Sequence, residues 1–128
     1  MTSAEKNALI QRCVRFAVTG LFVTALHALV AVLVINFIAA QPPLANGVAF
    51  VVATVVSYVI NTTWSFSARL HGRTLLRFLL VSVGGFFLAI FVAWAAQVAG
   101  LHYLLGIVAV ALTIPAFTFV LHNFWTYR

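Results

Sequence analysis

Two arginines, two tryptophans and a few uncharged polar side chains are the residues of this chain with the chemistry to bind something. Arg15 and Arg77 each open a long apolar run as part of an Arg-Phe pair. A guanidinium at such a border snorkels to the surface, or uses its planar fork to hold a phosphate through two hydrogen bonds. Thr54, Ser57 and Asn61 follow i, i+3, i+7, so they share one face of a helix, and Trp64 follows within one turn. That face either bonds a neighbouring helix, at about 0.6 kcal/mol per hydrogen bond, or forms a groove for hydroxyl-rich cargo. At the end of the chain His122, Asn123 and Trp125 repeat the same ending in outline. His27 and Thr54 stand at mid-span depth, where a polar group is bonded across helices or is functional.

Catalysis is discouraged by inventory. Glu5 is the only acid, so paired carboxylates are absent, and the four histidines, His27, His71, His102 and His122, fall on different segments without zinc-ligand spacing. No glycine-rich phosphate loop followed by Lys-Ser/Thr occurs. The expectation is a protein that is not an enzyme, with no cofactor and no metal site. Cys13 is alone and reads as a small apolar filler near a helix start, while His71 and His102 read as solvated loop residues.

The composition says where these residues sit. Apolar residues make up 65% of the chain and charged residues 6%, against about 45–50% and about 25% in a soluble domain. The excess apolar surface must face lipid. A net charge of +6 suggests nucleic acid in a soluble protein, but here seven bases are spread between hydrophobic stretches, which favours membrane lipids as partner and not nucleic acid.

Four apolar runs, at about residues 15–38, 46–66, 77–98 and 103–125, are each near the roughly 20 residues that cross a bilayer as a helix. They lack period-2 alternation, so helices rather than a barrel satisfy their backbone in lipid. The first run is too long for the core of a signal peptide, and residues 38–40 do not form a small-x-small cleavage site. Gln41-Pro42-Pro43 ends it, after a polar lead-in over residues 1–11. All seven bases lie before the first run, between the second and third, or after the fourth, which places both termini in the cytoplasm.

Arg15-Phe16 is echoed by Arg77-Phe78, and Trp64-Ser65-Phe66 by Trp125-Thr126-Tyr127. The expected fold is therefore an all-α membrane protein, one domain over residues 1–128, with four transmembrane helices built as two parallel two-helix repeats. Gly20, Thr24 and Ala28, and Gly85, Ala89 and Ala93, recur every fourth residue and mark expected helix contacts. Pro115 is expected to kink the fourth helix.

Taken together, Arg15-Phe16 with Gly20, Ala45-Asn46, Ser57 with Asn61-x-x-Trp64-x-Phe66, Arg77-Phe78 and the Trp125-Thr126-Tyr127-Arg128 close resemble the GtrA-like family of small four-span bacterial membrane proteins. The resemblance covers nearly the whole chain, from Arg15 to Arg128. Against the family's Asn-Arg-x-Trp at both span ends, Thr62 stands for the first Arg and His122-Asn123 for the second Asn-Arg pair. His27 stands where the family often has Asp. Arg15 and Arg77 are then the leading lipid-phosphate ligands.

The resemblance implies translocation, or flipping, of a polyprenyl-phosphate-linked sugar across the bacterial cytoplasmic membrane for cell-surface polysaccharide or cell-wall glycosylation. Ser57, Asn61, Trp64, His122, Asn123 and Trp125 would line the sugar groove in a homo-oligomer. The alternative is an accessory subunit that does not transport but anchors or stabilises a membrane glycosyltransferase. A small multidrug exporter is discouraged by the lack of an intramembrane Glu.

Overall fold

The computed structural model describes residues 1–38 and 41–128. Among them it is all helical: α1 (Ser3–Ile38), α2 (Pro42–Ile60), a first π-helical turn π1 (Asn61–Ser65), α3 (Gly72–Val98), α4 (Tyr103–Leu121) and a second π-helical turn π2 (His122–Thr126). Four of these helices are long and apolar enough to cross a membrane. The chain divides into two compact units, Met1–Leu70 and His71–Arg128, each a helical hairpin.

In the first unit α1 has 36 residues, a length of about 54 Å, well beyond the roughly 30 Å hydrocarbon core. The polar lead-in is therefore not separate from the first span but its continuous helical extension. It starts where Thr2 and Glu5 form a capping box, the Thr2 N–H donating to the Glu5 carboxylate and the Glu5 N–H to Thr2 Oγ1 at 3.2 Å. The lone acid of the protein is thus a helix cap. Cys13 lies well inside α1 and is exposed, so it fills no gap.

Prolines open α2 rather than only closing α1. A proline in the first turn lacks an N–H that has no intrahelical partner there, and its φ suits the helix. The loop expected between these helices lies partly outside the described residues. Gly20, Thr24 and Ala28 do not form the expected contact face: all three are exposed, and Thr24 Oγ1 bonds back to the Gly20 carbonyl of its own helix at 2.8 Å. The buried small residues of this unit are instead Ala45, Ala49 and Ala53 on α2, with Thr19 and Ala31 on α1. Ser67, just past π1, has φ 50° and takes the left-handed role that usually falls to glycine at a helix end.

In the second unit the small-residue expectation succeeds in part. Gly85 is buried, and a Cβ there would stand 3.2 Å from Thr118 Cγ2 and 3.6 Å from Ile114 Cγ2, so the missing side chain lets α4 approach α3. Ala89 is half-buried and Ala93 exposed. Helix α4 continues unbroken through Pro115. His71 and His102 are exposed and lie just before α3 and α4, as expected, and each also caps the helix it precedes: His71 Nδ1 accepts from the Arg73 N–H at 3.1 Å and His102 Nδ1 from the Leu104 N–H at 3.3 Å.

Candidate functional site

Each hairpin ends in a π-helical turn. The backbone N–H of Phe66 donates to the Asn61 carbonyl at 2.9 Å, and that of Tyr127 to the His122 carbonyl at 3.1 Å, both i→i+5. Such wide turns displace side chains from the regular helical register and concentrate at functional sites. Asn61, Trp64, His122, Asn123 and Trp125 all lie on them.

In the first hairpin Arg15 reaches from α1 to π1. Its Nη1 donates to the Trp64 carbonyl at 3.0 Å, and the guanidinium lies 5.5 Å from the centre of the Trp64 ring. A cation at the carbonyl end of a helix is favourable, and its stacking on indole adds a cation–π term. One residue on, Phe16 meets Phe66 edge-on at 6.0 Å. One turn deeper, Thr19 Oγ1 and Ser65 Oγ share a buried hydrogen bond of 3.2 Å.

Asn61, only 3% exposed, donates through Nδ2 to Ser57 Oγ at 3.2 Å, while its Oδ1 is buried with no hydrogen-bond partner among the described residues. Thr54 lies one turn before Ser57 and is half-buried. The expected polar face therefore includes one internal bond and one open acceptor.

The second hairpin holds its turn with the same parts. Arg77 Nη1 donates to the Trp125 carbonyl at 2.8 Å and to the Arg128 carbonyl at 3.1 Å, with the guanidinium 5.3 Å from the Trp125 ring centre. Phe78 stacks on His122 at 4.7 Å and 11°. His122 Nδ1 pairs with Thr126 Oγ1 at 2.9 Å, and the Tyr127 ring lies 5.8 Å away. Asn123 is buried. Trp64 and Trp125 remain 43% and 41% exposed, so each indole has a face left for lipid or ligand.

The sequence-derived residues thus gather into two groups, Arg15 with Ser57, Asn61 and Trp64, and Arg77 with His122, Asn123 and Trp125. His27 belongs to neither. Its Nε2 pairs with Asn46 Oδ1 of α2 at 3.2 Å, a bond across the first hairpin. The residues that sequence reasoning missed are Thr19, Ser65 and Thr126, which line the turns from within. Their available signal was a polar side chain one turn beyond Arg15, and one directly after each tryptophan.

A separate groove of about 560 Å³ lies between α3 and α4, lined mainly by small and aliphatic residues together with Gln97, His102 and Tyr103. Among the described residues no three His, Cys, Asp or Glu side chains converge as metal ligands would.

Residues 15–127 match the family model described as GtrA/DPMS, transmembrane domain. No curated protein and no solved structure matches the chain. The match begins at Arg15 and ends at Tyr127, so it takes in both arginine-held turns and all four apolar helices: this chain is a multi-pass membrane protein that belongs to the GtrA/DPMS transmembrane-domain family.

Proposed function

We propose that this protein translocates a polyprenyl-phosphate-linked sugar across the bacterial cytoplasmic membrane, for cell-surface polysaccharide or cell-wall glycosylation. The observation that carries the proposal is the recurrence of one cluster, arginine on indole beside buried polar groups, at the π-turn of both hairpins in a member of this family. That recurrence supports two parallel repeats. The distribution of the seven bases supports cytoplasmic termini and a cytoplasmic mouth for both clusters.

A lipid phosphate docks at Arg15 in the first hairpin or at Arg77 in the second. Each guanidinium has five N–H donors, of which the turn carbonyls engage only those on Nη1. Each hairpin offers the sugar its own surface, Ser57, Asn61 and Trp64 in the first and Asn123 and Trp125 in the second, where an indole face suits a pyranose ring and buried amides suit its hydroxyls. The isoprenoid tail stays in lipid. Four helices are too few to enclose a sugar, so the working unit is a homo-oligomer.

The reaction breaks no bond, and the chain acts as a carrier rather than an enzyme. Export of a singly charged anion from an inside-negative cell runs down the potential, by about 2.3 kcal/mol per 100 mV. Reconstitution in liposomes with labelled undecaprenyl-phosphate glucose tests this. Transport that requires the protein and reverses its preference with the potential supports it, and transport indifferent to both refutes it.

The family description joins GtrA with DPMS, which favours one second reading, an accessory subunit that stabilises a membrane glycosyltransferase. Co-purification of such an enzyme from native membrane, together with absence of lipid movement in liposomes, selects it.

A further inference from the structure

The two π-turns are built alike but are not equally satisfied, and the difference follows from one substitution between the hairpins. Four residues beyond Arg15 stands Thr19, and four beyond Arg77 stands Val81, both buried. Thr19 draws the hydroxyl of Ser65 to itself. Val81 has no hydroxyl to offer, so the corresponding Thr126 turns to His122. His122 is further held by Phe78 stacked on its ring and by Tyr127. In the first turn Ser65 is already engaged, and Asn61, in the place of His122, keeps a buried Oδ1 without a partner among the described residues.

We propose that the first hairpin is the head-group reader: Asn61 accepts one specific hydroxyl of the sugar, while His122 is closed by its own neighbours and only holds its turn. This rests on the translocation reading above. A buried amide with one end unmade imposes a demand that a ligand meets on binding. A hydroxyl, being both donor and acceptor, suits either end of the amide. Ser57 sits beside it on α2, already accepting from Nδ2, and its own O–H is a further donor for the same sugar edge.

A site built to bond one hydroxyl rejects the analogue that lacks it far more strongly than a greasy pocket rejects a missing methylene. The test uses the full chain in nanodiscs and liposomes, with undecaprenyl-phosphate glucose and its 2-, 3-, 4- and 6-deoxy analogues as probes. Binding is read by native mass spectrometry and transport by a protected-label assay. The expected result is that wild-type protein binds one of the four analogues about tenfold more weakly than the parent. Asn61→Leu should bind that analogue and the parent equally, and His122→Phe should keep the wild-type preference.

Wild-type binding of all four analogues within about twofold of the parent, the outcome for a site filled by an ordered water only, overturns the proposal without any variant having to fold. So does preference retained in Asn61→Leu. Binding with the expected preference but no transport supports this inference while refuting translocation. No binding of the parent lipid overturns both.

Discussion

Removal of the Arg77 guanidinium is the perturbation whose size the structure fixes most directly. Arg77→Ala deletes hydrogen bonds of 2.8 and 3.1 Å to the Trp125 and Arg128 carbonyls and a cation–π contact at 5.3 Å. A hydrogen bond to a charged group contributes about 1.5–3 kcal/mol when buried, and about a third of that at this exposed position, so the two bonds together supply about 1–2 kcal/mol. The stacked indole adds about 0.5–1 kcal/mol at a solvated site. The expected loss is about 1.5–3 kcal/mol.

Arg15→Ala removes a single bond and the same kind of stack, so it should cost less, by about 0.5–1 kcal/mol. Lysine keeps the charge but not the planar fork, and Arg77→Lys should recover less than half of the loss. Reversible unfolding of the reconstituted protein, followed by steric trapping so that no tryptophan signal is needed, measures each value. A double-mutant cycle of Arg77→Ala with Trp125→Leu isolates the indole term. A loss below about 0.5 kcal/mol for Arg77→Ala, or a larger loss for Arg15→Ala, would refute the reasoning. The arginines would then be surface anchors with all donors open to anions rather than clamps on the turns.

Four further outcomes follow from local geometry. Ser67 occupies left-handed backbone at φ 50°, so Ser67→Gly should raise stability by about 0.5–1 kcal/mol in the same unfolding assay. Gly20 has nothing within 4 Å of a built Cβ whereas Gly85 meets Thr118 at 3.2 Å. Gly20→Ala should therefore stabilise α1 by up to about 1 kcal/mol, and Gly85→Leu should cost about 1–3 kcal/mol by forcing α3 and α4 apart. His27→Leu gives up the 3.2 Å bond to Asn46 and should cost about 0.6 kcal/mol, with transport of the labelled lipid retained. Loss of transport in a stably folded His27→Leu protein would place His27 in the pathway instead.

The positions of the helices were legible because membrane helices are written in composition. Four apolar runs bounded by Pro42, Gly72 and the Ala99-Gly100 turn leave little choice once lipid is the solvent. The pairing of Arg15 with the end of α2, and of Arg77 with the end of α4, was implied only as a shared border, since border arginines and tryptophans occur for anchoring alone.

Helix faces were less legible. Gly20, Thr24 and Ala28 have the same four-residue spacing as Ala45, Ala49 and Ala53, and spacing does not say which row is buried in a chain so rich in alanine. The capping by His71 and His102 is not legible because histidine is not among the usual caps; their Nδ1 lone pairs reach the next turn because their own backbone is non-helical, with ψ 147° and 142°.

By itself, then, the sequence determined the solvent and the number of helices, and it named the arginines and polar side chains whose chemistry makes them candidates for binding. The tertiary structure alone decided that both helical hairpins end in π-turns, that the arginines grip the carbonyls of those turns, and that Thr19 leaves Asn61 open where Val81 lets Thr126 close His122. The physical reason is range. Apolarity summed over about 20 residues is a local quantity that any one segment carries. Whether a polar atom is satisfied depends on a partner some 46 to 49 residues away in the chain, brought within hydrogen-bond distance only by packing.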